Sequence, residues 1–292
     1  MSRGLHNAAP TRRTVRRVVA PLVALLGGLA LSVLAAQQFI RLQARIARRV
    51  IGKPLGEDAW MSDKLYKKKY GEPIELVMLG DSIAAGLGAD IPKHTLGAQL
   101  AKRIARRTRR SVNLHTGAVV GSGSSMLGAQ LTTLPAGYSA DVAVIIVGGN
   151  DVTHRVKTSV SLQHLEEAVL LLQKRGTEVV VGTCPDLGAL MAVPQPLRSL
   201  IGMASRQLAT AQRELVTELG GRAVSLADVV GPFFITSPDE MFATDRFHPS
   251  SAGYRRTAKA MLPSVLAALG YEKSVPAGHY EPATGQGGQD GS

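Results

Sequence analysis

A single cysteine, Cys184, stands in 292 residues. That excludes an intrachain disulfide and any multi-cysteine zinc or iron–sulfur site, and leaves the redox compartment open. Aromatic side chains are scarce, at 4%. The core must therefore be built from Ala, Val, Leu and Gly, and the aromatic–basic platform that stacks nucleic-acid bases is missing. Acidic residues are few, 22 against 34 Lys and Arg, for a net charge of +12. The excess is local. Residues 1–70 carry 14 bases and 3 acids; residues 71–292 carry 20 and 19. A near-neutral body argues against a nucleic-acid partner. The basic N-terminal segment points to anionic lipid headgroups. His94, His115 and His164 lack metal-ligand spacing, so no metal is expected.

What is present begins with a charge-free run. No charged residue lies in 18–40, 23 residues containing VVAPLVALLGGLALSVLAA. That is long enough to span a hydrocarbon core of about 30 Å. It exceeds the usual 7–15-residue signal-peptide core, so a retained single-pass signal anchor is favoured. A cleaved signal peptide, with Val33-Leu34-Ala35 as its site and a secreted product, is the alternative. Arginines flank both sides, so the positive-inside count does not orient the span. The expectation is a cytoplasmic N-terminus and an extracytoplasmic body. The chain divides into a basic segment 1–17, the span 18–40, a basic amphipathic helix and linker 41–70, a domain 71–271 and a tail 272–292. Phe39, Leu42, Ile46 and Val50 share one helical face, which suits a helix lying on the membrane surface; packing on the body is the alternative. The Gly-, Pro- and Gln-rich tail is expected to be disordered.

From Ile74 short apolar runs alternate with amphipathic ones. Residues 75–79, 112–115, 142–147, 178–181 and 223–226 are expected as buried strands, with helices near 95–108, 160–174, 196–219 and 250–268. This alternation predicts an α/β domain with a parallel sheet covered on both faces.

In such a sheet, sites form at the carboxyl ends of strands. Gly80-Asp81-Ser82 follows the first strand and a glycine turn around Gly117, Gly121 and Gly123 the second. Gly148-Gly149-Asn150-Asp151 follows the third, and Asp245-Arg246-Phe247-His248-Pro249 precedes the last helix. The inventory suits acyl transfer through a serine. A serine hydroxyl needs a base to take its proton, and His248 is the candidate. Asp245 can fix its tautomer. Backbone N–H groups of Ser82 and Gly121, with the Asn150 amide, can face an oxyanion. Gly-Asp-Ser alone is a weak signal. The ordered set, each member ending a strand or opening the last helix, is a stronger one.

That set resembles the SGNH, or GDSL, hydrolase family in Leu79-Gly80-Asp81-Ser82, Val119-Val120-Gly121-Ser122, Gly148-Gly149-Asn150-Asp151 and Asp245 to Pro249, with Ala252-Gly253-Tyr254 following. The resemblance covers about residues 74–270. It implies a three-layer α/β/α flavodoxin-like fold with a five-stranded parallel sheet, and a serine esterase or lipase without metal or organic cofactor. By position, it implies Ser82 as nucleophile, His248 as base, Asp245 as its partner, and Gly121 and Asn150 in the oxyanion hole. Gly117 and Gly123 are rivals to Gly121. The expected substrate is a carboxylic ester, with a short acyl chain, on a small molecule, lipid or envelope glycan. An acyltransferase using the same acyl-enzyme, and a non-catalytic envelope-binding protein, are the alternatives. Oligomeric state carries no signal. Asp151 and His154 repeat the Asp-x-x-His spacing; Asp151 is expected to be structural and His154 a rim residue. Cys184 is expected to be a small buried residue.

Overall fold

In the computed structural model, residues 12–52, 55–56, 58–135 and 137–283 are described, with α1 side chains from Leu26 onward. In chain order the elements are α1 (Arg12–Ile51), β1 (Leu65–Tyr66), β2 (Pro73–Gly80), α2 (Ser82–Ala85), α3 (Leu96–Thr108) and β3 (Ser111–Thr116). Next come α4 (Leu127–Thr132), β4 (Val142–Ile146), α5 (Gly149–Thr153), α6 (Thr158–Lys174), β5 (Glu178–Gly182) and α7 (Leu197–Glu218). The last are β6 (Arg222–Val224), α8 (Leu226–Val229), α9 (Gly231–Thr236), α10 (Pro238–Met241), α11 (Ser251–Ala268) and β7 (His279–Tyr280).

The strands pair in the order β1-β3-β2-β4-β5-β6-β7. The five central strands are parallel; β1 and β7 are antiparallel to their neighbours. The expected five-stranded parallel sheet is thus the centre of a seven-stranded mixed one. The added strands have two residues each, too short to show an alternating pattern, and they cover the edges that β3 and β6 would otherwise expose. β1 lies in the expected linker. β7 lies in the expected tail, so residues 272–283 are ordered against the sheet; 284–292 fall outside the described residues.

The central strands are apolar throughout because both faces are covered. Leu76 and Met78 of β2, with Val144 and Ile146 of β4, pack against α3 and α11 through Leu100, Ile104, Tyr254 and Met261. Val77, Leu79, Ala143 and Ile145 face the other way, onto Leu127 and Leu131 of α4, Leu165 and Val169 of α6 and Val216 of α7. This makes the three layers. β2 sits between β3 and β4, so the chain leaves β2 at the point where the strand order reverses, where such sheets open a crevice.

The N-terminal region differs from the expected division. One 40-residue helix, α1, runs through both the charge-free stretch and the amphipathic one. Among the described residues no helix is long and apolar enough to cross a membrane; the basic segment before Arg12, and the side chains of residues 18–25 of the expected span, lie outside them. The helix end packs on the body. Gln43 and Ala47 are buried. The Gln43 amide donates to the carbonyl of Gln195 and accepts the Leu197 N–H at 3.0 Å, and Ala47 joins Leu187, Leu190 and Val193. Phe39, Leu42, Ile46 and Val50 stay exposed on another face.

Candidate active site

The end of β2 is closed by backbone contacts that only glycine permits. Gly80 has φ +123°, and a Cβ there would lie 1.9 Å from the Ile146 carbonyl oxygen. The buried Gln130 amide clamps this residue, accepting its N–H and donating to its carbonyl, both at 2.8 Å. The Asp81 N–H donates to the Ile146 carbonyl at 2.9 Å, and its carboxylate accepts the Ile83 N–H at 2.9 Å. The chain is thereby turned into α2 with Ser82 as its first residue.

His248 arrives from the opposite side. The segment before α11 folds back on itself, with an antiparallel bridge between Phe242 and Pro249 and the Ala243 N–H on the His248 carbonyl at 2.8 Å. Ser250 caps α11 by accepting the N–H groups of Ala252 and Gly253. The buried Tyr254 hydroxyl donates to the Leu87 carbonyl at 2.6 Å, tying α11 to the loop after α2. His248 Nε2 lies 2.9 Å from Ser82 Oγ, and Nδ1 lies 2.5 Å from Asp245 Oδ2. Asp245 Oδ1 accepts the N–H groups of Phe247 and His248 at 3.0 Å. Burial works against the ionised form of Asp245. The bonds from the His248 ring and from the two N–H groups outweigh it, holding the carboxyl below its ordinary range.

The glycine turn and α5 close the third side. Gly121, with φ +81°, lines the same groove as Ser82, Asn150 and His248. The N–H groups of Ser82 and Gly121 donate to no atom among the described residues. Of the rivals, Gly117 already donates its N–H to the Met78 carbonyl at 2.9 Å, and Gly123 packs against the Asp151 carboxylate. One Asn150 amide hydrogen goes to the Ser122 carbonyl at 2.9 Å, leaving the second for a ligand.

Asp151 is buried and accepts both the N–H and the hydroxyl of Ser124, so it ties α5 to the glycine turn. His154 is exposed on the groove. Cys184 is fully buried, and burial with the nearby charges of Asp81, Asp151 and Asp186 pushes its thiol up, away from the nucleophilic thiolate. Gln130 is the site residue that the sequence hid, because a mid-helix glutamine carries no marker of a buried bidentate clamp. Among the described residues no three His, Cys, Asp or Glu side chains are grouped to hold a metal.

Asp81 lies buried beside these groups. Burial, with some help from the Asp151 charge, raises its carboxyl from 3.8 to about 7, against the Ile83 N–H and His248. Between those values the folded chain keeps a proton that the unfolded chain loses, so stability falls as pH rises. Asp81→Asn keeps an acceptor for Ile83 and cannot ionise. Its unfolding free energy in urea is expected to match the parent below about pH 4 and to exceed it at pH 8, by on the order of 4 kcal/mol. Parallel pH slopes for the two proteins would contradict this assignment.

Two spaces meet at Ser82. One is a small, largely apolar pocket of about 80 Å³, lined by Leu187, Leu190, Leu226, Val230, Phe234 and Phe247 beside Ser82, Asn150 and His248. The other is an open groove of about 1640 Å³, walled on one side by residues 38–51 of α1.

Comparison with known proteins places this geometry in context. Residues 78–256 match the model of the GDSL-like Lipase/Acylhydrolase family. The GDSL-like esterase Rv1075c of Mycobacterium tuberculosis is 37% identical over 204 residues, 70% of this chain and 65% of that protein. The chain thus spans just under two-thirds of that curated relative. Among solved structures, LAE5, an alpha/beta hydrolase from the Lake Arreo metagenome, superposes with a TM-score of 0.52 at 22% identity, over 70% of this chain and 99% of its own. Axe2, an acetylxylan esterase from Geobacillus stearothermophilus, gives 0.51 at 19%, over 70% and 97%. At these identities the two structures speak to the fold.

Proposed function

Because the chain belongs to the GDSL-like lipase/acylhydrolase family, we propose that it hydrolyses carboxylic esters through an acyl-enzyme on Ser82. The observation that carries this is the continuous relay from Ser82 Oγ through His248 to Asp245. Ser82 Oγ forms a bond to the ester carbonyl carbon as His248 Nε2 takes its proton. The oxyanion is met by the N–H groups of Ser82 and Gly121 and the free amide hydrogen of Asn150. The C–O bond then breaks, and the imidazolium returns its proton to the leaving alkoxide. Water, activated by the same histidine, releases the acid and restores Ser82. Asp245, ionised and fixed by three hydrogen bonds, supports the imidazolium at each stage.

The smaller pocket supports a short acyl chain: its wall is largely apolar and it has room for a few carbons. We extend the reading to a protein anchored by 18–40, with the body on the extracytoplasmic side. The support is the charge-free run and the exposure of Leu26, Leu29, Leu31 and Leu34 on α1.

A series of p-nitrophenyl esters tests the reading. Acetyl and propionyl esters are expected to be cleaved with kcat/KM at least about tenfold above palmitoyl, one tenfold step corresponding to 1.4 kcal/mol. A palmitoyl optimum would remove the short-acyl assignment. Transfer of the acyl group to an added alcohol in preference to water would make the protein an acyltransferase. No turnover of any ester would favour a binding role.

A further inference from the structure

The wall that α1 contributes to the groove is charged in one sense. Arg41, Arg45 and Arg48 recur at a spacing of four and three residues, so they share a face, and all three line the groove that holds Ser82 and His248. Arg155 adds a fourth cation. The only carboxylate among the groove's described lining residues is Asp245, which is buried within the relay. Between the cations the surface is apolar, from Val120 and Val152 to Leu197 and Ile201. The helix is held in this position by Gln43 and Ala47, whereas its apolar stripe, Phe39, Leu42, Ile46 and Val50, faces away from the body and is exposed.

Two spaces of such different size divide the substrate. The smaller pocket of about 80 Å³ has room only for a small group. The rest of the ester must leave through the open groove, beneath the arginines. Resting on the esterase reading above, we infer that the substrate is a short-chain acyl ester whose alcohol portion is large and anionic, and that Arg41, Arg45 and Arg48 determine this specificity. The chemistry recognised is a phosphate, sulfonate or carboxylate group displaced from the scissile bond along the groove, with apolar surface on either side. Guanidinium groups are suited to such oxyanions because they present forked donors and stay charged. α1 then has three faces with three tasks: one docks on the body, one presents the exposed apolar stripe, and one reads the alcohol.

The test compares two acetyl esters with the full chain in neutral detergent: phenyl acetate, and 4-acetoxybenzenesulfonate, whose alcohol portion is anionic. The ratio of kcat/KM for the sulfonate to that for phenyl acetate is expected to fall about tenfold in the Arg41→Gln/Arg45→Gln/Arg48→Gln variant, the sum expected of three partly exposed charge contacts. Most of the fall should appear in KM. Ala47→Asp, which undocks the helix without touching an arginine, should lower the ratio as well. An unchanged ratio in the arginine variant, including an equal loss on both esters, would overturn the inference. Phosphatidylglycerol acetylated on its headgroup hydroxyl, presented in neutral micelles, separates the sources of the anion. A larger fall than with the sulfonate identifies a membrane lipid, and an equal fall identifies a soluble alcohol. Phenyl acetate turnover by the parent chain, and its loss in Ser82→Ala, tests the esterase reading separately.

Discussion

Ser82→Ala is expected to lower kcat for phenyl acetate by about a millionfold, and His248→Ala by a similar factor. The two side chains act as one unit. Ser82 Oγ is within 2.9 Å of His248 Nε2, and neither does chemistry alone: the hydroxyl is a poor nucleophile without a base, and the base has no proton to take without the hydroxyl. The double variant should therefore be no slower than either single one, a non-additivity that independent contributions would not give. His154→Ala is the control. Its ring lies on the same groove and follows the same Asp-x-x-His spacing, yet no hydrogen bond joins it to Ser82 among the described residues. It should retain activity within about an order of magnitude. Loss in His154→Ala with activity kept in His248→Ala would reverse the assignment. Both serine and histidine lie on a rim whose backbone is held by other residues, so the folded state of each variant, measured by its thermal midpoint, should survive.

Asp245→Asn is expected to cost about ten-thousandfold in kcat. The reason lies in how the carboxylate is used. Oδ1 accepts two backbone N–H groups, and Oδ2 faces His248 Nδ1. An asparagine keeps its oxygen on the backbone donors, since an amide nitrogen cannot accept there. Its NH2 is then forced toward Nδ1. The ring must take the other tautomer, with hydrogen on Nε2, and can no longer accept the Ser82 proton. The loss should thus appear in kcat with little change in KM. Equal activity in Asp245→Asn and the parent would mean that the carboxylate does not orient the base.

The parts that could be read from the chain are those where one physical constraint dominates. The five central strands are legible because burial on both faces makes them continuously apolar, as in 142–147. The triad candidates are legible because each follows a strand or opens a helix, so their convergence at one rim comes from topology. The rest depends on tertiary contacts without a local pattern. β1 and β7 gain their order only by pairing with β3 and β6. Gln130 looks like any helix glutamine until it meets Gly80. The α1 end displays an apolar stripe that suits a membrane surface, yet its contact with the body uses Gln43 and Ala47, which lie off that stripe. Its arginines look like a solvated face until the groove beneath them is seen. Site positions were thus clearer in the sequence than the space around them.

The most direct measurement is labelling with a fluorophosphonate, a tetrahedral phosphorus electrophile that reacts with a serine only where a base and oxyanion donors are assembled around it. The modified chain would be digested and the adduct located by mass spectrometry. A single adduct on Ser82 is expected, absent from Ser82→Ala and strongly slowed in His248→Ala. An adduct on another serine, or an unlabelled folded protein, would contradict it.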